Sequence, residues 1–392
     1  MRNTTTLCML LFGLILVLGA GGAHAQTSLD GLLTPYLEKY DLPALAAAVV
    51  HDGKVIAVGA VGTRRTGHKI PVTVNDRFHL GSDTKAMTAL LASMLVEEGK
   101  LRWDATPAAI LPELAGKMGP DFKNITLTQL LSHTSGIPGD NHAFVEIMGK
   151  SLLQEGDLDK LRLWIIGEFA GLPLAAKPGE TFAYSNMNYI IAGAMVERMG
   201  GKTWEELITE RIFVPLELKT AGLGPQASLG KIDAPLGHQY RDKKQVALLP
   251  GPSSDNPAVI GPAGTAHMSV LDFANWAGWN AGRGKRGPKL ATGDTLTKLQ
   301  TPVIEMPVKI DAPAGTPSRG GYGLGWGQMK VDWASEPLVF HGGSNGYNLA
   351  HAWLDPKQDV AMVLLTNVSG PQADKALGEL AQVLYTKFGP KK

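Results

Sequence analysis

Apolar positions along this chain recur with two periods, and the change from one period to the other marks out its elements. Residues 28–40 place Leu29, Leu32, Leu33 and Leu37 at helical spacing, which predicts an amphipathic first helix. Two apolar runs within residues 45–61 follow, joined at His51-Asp52-Gly53-Lys54, and Asp-Gly between apolar runs predicts a two-stranded hairpin. Met87, Leu90, Leu91, Met94 and Leu95 return to helical spacing, with Ala86, Ala89 and Ala92 as strong helix formers and Gly99 where a C-cap belongs. The segment opening at Gly81-Ser82-Asp83-Thr84-Lys85 therefore predicts a buried helix.

From about residue 101 to 283 the pattern is helical and loop-rich, with apolar helical runs at 161–169, 189–199 and 204–213. Strand-like runs return at 323–328, 338–341, 350–354 and 360–367, each short and bounded by Gly, Asp, Pro or Asn, before a last helix over 373–388. This order predicts an α/β domain: one antiparallel sheet built from both ends of the sequence and flanked by helices, with a mostly helical lobe of about residues 101–320 inserted. No internal repeat is present. The Pro- and Gly-rich stretch 250–264 reads as a loop at the site or a linker.

With 392 residues and 44% hydrophobic content the chain can bury a large core. Lys and Arg total 37 against 36 Asp and Glu, a balance that gives no footprint for a nucleic-acid backbone or an anionic membrane surface. A small-molecule partner is expected instead. Arg2, an apolar stretch over residues 7–20 and Ala23-His24-Ala25 before Gln26 have the three parts of a secretory signal peptide. The expectation is removal of residues 1–25, export to the periplasm or the medium, no stable membrane insertion afterwards, and a mature domain of residues 26–392. An uncleaved anchor is the alternative, but the apolar core is short for a span. Cys8, the sole cysteine, would leave with the signal, so the exported domain would hold no disulfide.

Three stretches carry candidate chemistry. Ser82 and Lys85, three residues apart on a helix, share a face, and a desolvated lysine there can take the serine's proton. The bland reading is an N-cap serine with a solvated lysine. A second Ser-x-x-Lys, residues 228–231, lies among glycine and proline with no apolar helical run behind it and reads as loop. Tyr184-Ser185-Asn186 follows a Pro-Gly turn; a tyrosine beside a buried ammonium ionises more easily and can act as a base, and Asn186 offers a donor and an acceptor. Its bland reading is a packed ring and a helix cap. In Phe340-His341-Gly342-Gly343-Ser344 the glycines let backbone approach a ligand, and the N–H groups of Ser344 and Ser82 could face an oxyanion. Alone, His341 reads as a satisfied histidine at a strand end.

In this order the three stretches resemble the serine hydrolases of the class C β-lactamase and penicillin-binding-protein family, whose motifs are Ser-x-x-Lys, Tyr-x-Asn and Lys-or-His-x-Gly. Residues 130–137, Pro262-Ala263-Gly264, residues 322–326 and the run from 341 to 367 are similar to other stretches of that family. The resemblance implies a β-lactamase/transpeptidase-like fold, a site between an α/β lobe and a helical lobe, and no cofactor. It implies Ser82 as the acylated nucleophile, Lys85 and Tyr184 sharing its activation, Asn186 orienting the substrate amide or ester, His341 and Gly343 lining the strand edge, and Ser82 with Ser344 as oxyanion donors. True β-lactamases of the family resemble each other in carrying lysine where this chain has His341. That departure implies an esterase or peptidase acting on small esters, amides or peptides; a D-amino-acid peptidase, a carboxypeptidase or a β-lactamase proper are the alternatives.

Rival readings fare worse. Residues 342–346 match the nucleophile elbow Gly-x-Ser-x-Gly, but that fold needs a histidine after the acid, and His351 is the last histidine. Ser254-Asp255-Asn256 imitates a class A β-lactamase motif among prolines and reads as loop. No His-x-x-x-His pair lies on a predicted helix, so no metal site is expected. A non-catalytic binding protein of the same fold is the rival from another class, and intact Ser82, Lys85, Tyr184 and Asn186 argue against it.

Overall fold

The computed structural model describes residues 26–390, apart from 243, 252–253, 310–311 and 317. The segment read as a signal peptide lies outside the described residues. In chain order the strands are β1 (Thr27–Ser28), β2 (Ala44–His51), β3 (Lys54–Gly62), β4 (Arg77–His79), β5 (Gly222–Leu223), β6 (His238–Arg241), β7 (Lys244–Ala247), β8 (Ala266–Ser269), β9 (Ile304–Met306), β10 (Gly320–Tyr322), β11 (Gly327–Met329), β12 (Leu338–Ser344), β13 (Leu349–Asp355) and β14 (Val360–Thr366). The predicted hairpin is β2–β3, closed by Asp52 at φ +50° and Gly53 at φ +70°, the two left-handed residues its tight turn requires.

Nine strands make the main sheet, in the order β1-β3-β2-β14-β13-β12-β11-β10-β9. The join between chain ends is the antiparallel pair β2–β14, in which Ala48 faces Val363. The sheet is mixed rather than wholly antiparallel, because β1 lies parallel to β3 at the edge. Its central strands are buried on both faces. Along β14, Ala361, Val363 and Leu365 join one core, while Met362 and Leu364 join the other. A strand buried on both sides reads as an unbroken apolar run, which is how residues 360–367 stood out in sequence.

Helices Asp30–Lys39 and Pro371–Phe388 pack in the core on one face, and helix Val270–Ala281 crosses the other. A Cβ on Gly278 would come within 2.6 Å of Val50, so this helix lies close on an alanine-rich strand. Beyond it lies the helical lobe, including Thr84–Glu97, Leu158–Phe169 and Asn186–Gly200. The sheet takes back the chain at Ile304, earlier than the expected lobe boundary near 320. Strands β4 to β8, of two to four residues, escaped the sequence reading because such lengths show no period.

Most of the expected strand at 323–328 is instead the turn between β10 and β11, and only residues 327 and 328 lie in a strand. Gly325 turns the chain at φ +80°, and a Cβ there would stand 3.0 Å from the Lys85 carbonyl oxygen, so the turn is pressed against the helix Thr84–Glu97. Strand β12 conversely runs on through the glycines to Ser344, past the expected end at His341. Among the described residues no helix is long and apolar enough to cross a membrane.

The lobe is held by an arginine in its interior. Arg162 is fully buried, ion-pairs with Glu197 and Glu205, and donates from Nε to the Val259 carbonyl at 3.2 Å. Burial pushes the Glu197 carboxyl up and Arg162 pulls it down. Arg162→Ala leaves Glu197 buried without its counter-ion and is expected to cost about 3–5 kcal/mol, read from the midpoint of denaturant unfolding. An unchanged midpoint would show that the ion cluster does not hold the lobe.

Candidate active site

Ser82 sits in a single 3-10 turn, Gly81–Asp83, that runs directly into the helix Thr84–Glu97. The turn is wedged against β12. Gly81 has φ +52°, and a Cβ there would lie 2.3 Å from the Ser344 nitrogen. A Cβ on Gly343 would lie 2.5 Å from the Ser82 nitrogen and 2.0 Å from the Leu80 carbonyl oxygen. Neither position accepts a side chain, and their glycines bring the backbone nitrogens of Ser82 and Ser344 together. Thr84 caps the turn by donating to the Gly81 carbonyl at 2.7 Å and accepting from Ala266 N–H at 3.1 Å.

Helical spacing delivers Lys85 to Ser82, with Nζ 2.9 Å from Oγ. The same nitrogen bonds Asn186 Oδ1 at 2.6 Å and the Ala263 carbonyl at 2.8 Å. The two other partners are acceptors only. A neutral amine has two N–H groups and one lone pair, so the two carbonyl oxygens take its protons and the lone pair is left for the Ser82 hydroxyl. Lys85 is completely buried, and burial lowers its pKa to about 7, with Asp140 and Asp83 opposing the fall.

The stretch at 250–264 is part of the site's foundation. From Ala258 it forms two helical turns beneath the lysine, and the carbonyls of Pro262 and Ala263 accept from Thr88 at 2.7 Å and from Lys85. Ser254-Asp255-Asn256, a loop as read, braces its surroundings: Asp255 lies 2.9 Å from His79 Nε2 and accepts from Asn345 Nδ2 at 2.9 Å. His79 Nδ1 in turn accepts from Gly81 N–H at 3.0 Å, so these bonds reach the residue before Ser82.

Tyr184 lies beside this cluster, with the Lys85 ammonium position 4.9 Å from its ring centre. Its hydroxyl is buried and has no partner in hydrogen-bonding geometry among the described residues. Burial pushes the phenol up; the nearby Ser82 hydroxyl opposes this, and Asp140 and Asp83 add to it. The expectation of an easily ionised tyrosine is thus corrected, because desolvation of the phenolate outweighs any help from the lysine. Tyr184 is held as the neutral phenol.

His341 also differs from expectation. It is fully buried, bonded from Nδ1 to the Gly342 carbonyl at 2.8 Å and through Nε2 to the Tyr322 hydroxyl at 3.0 Å. Both ring nitrogens are spent inside the protein, so the side chain does not line a substrate path, and Gly343 contributes only closeness of backbone. Burial lowers the histidine's pKa to about 3, with Lys85 adding to the effect, so it is neutral at physiological pH. Ser344, the decoy elbow serine, accepts from Gly346 N–H at 2.9 Å and pairs with Ser369 Oγ at 2.8 Å.

Two residues of the site had no role assigned from the sequence, although His133 lies within the family-like stretch 130–137. His133, buried with φ +57°, stacks on Tyr184 at 4.3 Å between ring centres and accepts at Nδ1 from Ser185 N–H at 3.3 Å. A histidine in a left-handed turn leaves no periodic trace. Asp140 accepts from the backbone N–H of Asn186 at 3.0 Å and from its side-chain amide. Asn186, first residue of Asn186–Gly200, therefore spans Lys85 and Asp140 rather than standing free for a substrate.

Ser82, Asp140, Tyr184, Asn186, Lys309 and Ser344 are among the residues lining an open cavity of about 670 Å³. The volume suits a small organic substrate. Among the described residues no cluster of metal-ligating side chains occurs.

The Beta-lactamase family model matches residues 29–386. Protein flp of Staphylococcus aureus (strain MW2) is 25% identical over 359 residues, covering 91% of this chain, which spans only 66% of flp's own length. Penicillin-binding protein 4 of Amycolatopsis lactamdurans is 28% identical over 348 residues, with 88% of this chain and 85% of that protein covered. Among solved structures, the octameric penicillin-binding protein homologue from Pyrococcus abyssi superposes with a TM-score of 0.72 at 25% identity, over 90% of this chain and 76% of that one. A D-stereospecific amidohydrolase from Streptomyces sp. shares the fold at a TM-score of 0.68 and 21% identity, over 92% and 99%. With a family match running from the first helix to the last, on a fold that superposes on its relatives, this chain belongs to the beta-lactamase family of serine hydrolases.

Proposed function

We propose that the protein is an exported serine hydrolase that cleaves a small ester or amide through an acyl-enzyme on Ser82. The observation that carries this reading is the Lys85 amine, buried, 2.9 Å from Ser82 Oγ, with its other two partners both carbonyl oxygens. The lone pair takes the hydroxyl proton as Oγ attacks the carbonyl carbon. The N–H groups of Ser82 and Ser344 receive the negative charge on the former carbonyl oxygen. Tyr184, a neutral phenol, gives its proton to the leaving oxygen or nitrogen and regains one from the Lys85 ammonium. Water then attacks the acyl-Ser82 ester by the same route in reverse, releasing the acid and restoring the serine proton.

With His341 neutral and enclosed, the strand edge presents no charge to a substrate carboxylate, which supports neutral esters as the preferred class. Lys309, which also lines the cavity, supports a second reading, a peptidase or β-lactam-reactive enzyme whose substrate carries a carboxylate. The name of the relative from Amycolatopsis lactamdurans is in keeping with it. Export rests on the apolar stretch 7–20 and Ala23-His24-Ala25. N-terminal sequencing of protein recovered from outside the producing cells is expected to begin at or near Gln26; an intact residue 1 in that fraction would remove the signal-peptide reading.

A fluorophosphonate is expected to label Ser82 and leave Ser344 untouched, and Ser82→Ala should lower turnover by several orders of magnitude, roughly 10⁴-fold. Mass spectrometry after exposure to a neutral ester, a D-amino-acid peptide and a penicillin identifies the substrate class by the mass left on Ser82. An adduct mapped to Ser344 would overturn the mechanism. The pH dependence follows from the lysine. Below about 7 Lys85 is the ammonium and has no lone pair to offer, so kcat/KM should rise with pH through about 7 and then level. Activity that falls across that interval would exclude Lys85 as the base.

A further inference from the structure

Asn186 has a feature that its place in the motif does not explain: its amide must point one way only. A side-chain amide can rotate by half a turn and exchange its oxygen and nitrogen, and the two ends differ little in size. Lys85 needs an acceptor from it. Were the amide reversed, an NH₂ group would face the lysine's N–H, and the buried amine would lose one of its two carbonyl partners.

We propose that Asp140 is a positioning residue that locks the Asn186 amide with its oxygen toward Lys85 and, as the anion at the end of the chain Asp140–Asn186–Lys85–Ser82, sets the protonation of the lysine. A carboxylate can only accept, so the amide group facing it must be the nitrogen, and the oxygen is thereby turned to Lys85 Nζ, at 2.6 Å. The second Asp140 oxygen accepts from the Asn186 backbone N–H at 3.0 Å, which clamps the carboxylate to the first residue of that helix. Asp140 lies exposed on the cavity wall beside a lysine that is fully enclosed; burial of its carboxyl group raises its pKa, and the two Asn186 hydrogen bonds and Lys85 oppose the rise.

Of the groups around the lysine, Asp140 opposes the fall most and Asp83 next. From the turn beneath it comes Asp83, whose carboxyl burial pushes well above the usual range. From the loop after Leu127–Leu131 comes His133, and from β12 comes His341, both held neutral by burial. Tyr184 and Tyr189 flank the start of Asn186–Gly200, and Tyr322 of β10 stands behind His133; burial keeps all three phenols protonated. Ahead of Asp83, Asp140 is thus the foremost acid acting on Lys85 among the described residues. Its pairing favours the ammonium and so opposes the fall that burial imposes, which holds the lysine near neutrality instead of letting it drop further.

The inference rests on Lys85 being the base. The test therefore reads the lysine itself as well as turnover. Protein with ¹³C-labelled lysine is titrated by NMR, with Lys85→Arg assigning the resonance, alongside the pH dependence of fluorophosphonate labelling of Ser82. Asp140→Asn keeps the shape but removes the charge and the acceptor-only edge; the Lys85 titration and the acidic limb of labelling should both move down by about one pH unit. Asp140→Glu, which restores a carboxylate, should return them toward the wild-type position. A Lys85 titration that stays in place in Asp140→Asn, or moves upward, overturns the inference. So does an equal displacement in Asp140→Asn and Asp140→Glu, since packing alone would then account for it. Labelling that maps away from Ser82 instead refutes the acyl-enzyme reading.

Discussion

A primary amine withdrawn from water beside a serine hydroxyl is the constraint around which this protein is built. Burying a lysine without partners is costly, and each polar group left unpaired in the interior costs on the order of 1–3 kcal/mol. The fold meets that demand from three separate parts of the chain: its own helix brings Ser82, the turn at residues 261–264 brings the Ala263 carbonyl, and the helix Asn186–Gly200 brings Asn186. The interaction fixes how these three parts are arranged. Thr88, one turn further along, repeats the linkage by donating to Pro262 and accepting from Trp204 Nε1 at 3.0 Å.

The sheet contributes by closeness. Gly343 of β12 and Gly81 of the Ser82 turn meet where a methyl group on either would overlap backbone. Closeness of this kind positions two backbone N–H groups without any side chain, and backbone donors of fixed direction need no reorganisation when charge develops. The rings of His133, Tyr184, Tyr189, Tyr322 and His341 form an aromatic wall that shields the lysine and keeps its titratable members neutral. The same desolvation that lowers the pKa of Lys85 raises that of Tyr184. This division of labour follows from the sign of each charge: burial destabilises an ammonium and a phenolate alike, driving the first to lose its proton and the second to keep it.

Much of this was legible in the sequence where a local rule applies. The Asp52-Gly53 hairpin, the helix behind Ser82 and the doubly buried strand at 360–366 are each specified by neighbouring residues, through turn chemistry, a 3.6-residue period and an unbroken apolar run. The pairing of Ser82 with Lys85 belongs to the same class, because three residues on a helix is a fixed separation. The turn at residues 323–326, in place of the expected strand, was not legible, since it rests on the close approach of Gly325 to a helix some 240 positions earlier in the chain, at Lys85 and Ala86. The roles of Asp140 and His133 were not legible for the same reason: each acts on a residue dozens of positions away, and neither spacing nor composition records it.

By itself, then, the sequence determined the longer elements, the order in which they occur, and the nearness of Ser82 to Lys85, because these depend on interactions within a few residues. Tertiary structure alone decided the states of those groups. It enclosed His341 with both nitrogens satisfied, although a strand-edge histidine before glycines had suggested a side chain facing a substrate. It held Tyr184 neutral and brought Lys85 near neutrality, and it turned the amide of Asn186 through a carboxylate 46 positions away. A side chain's ionisation depends on how much water surrounds it and which charges lie within a few ångströms, and both are properties of packing between distant segments.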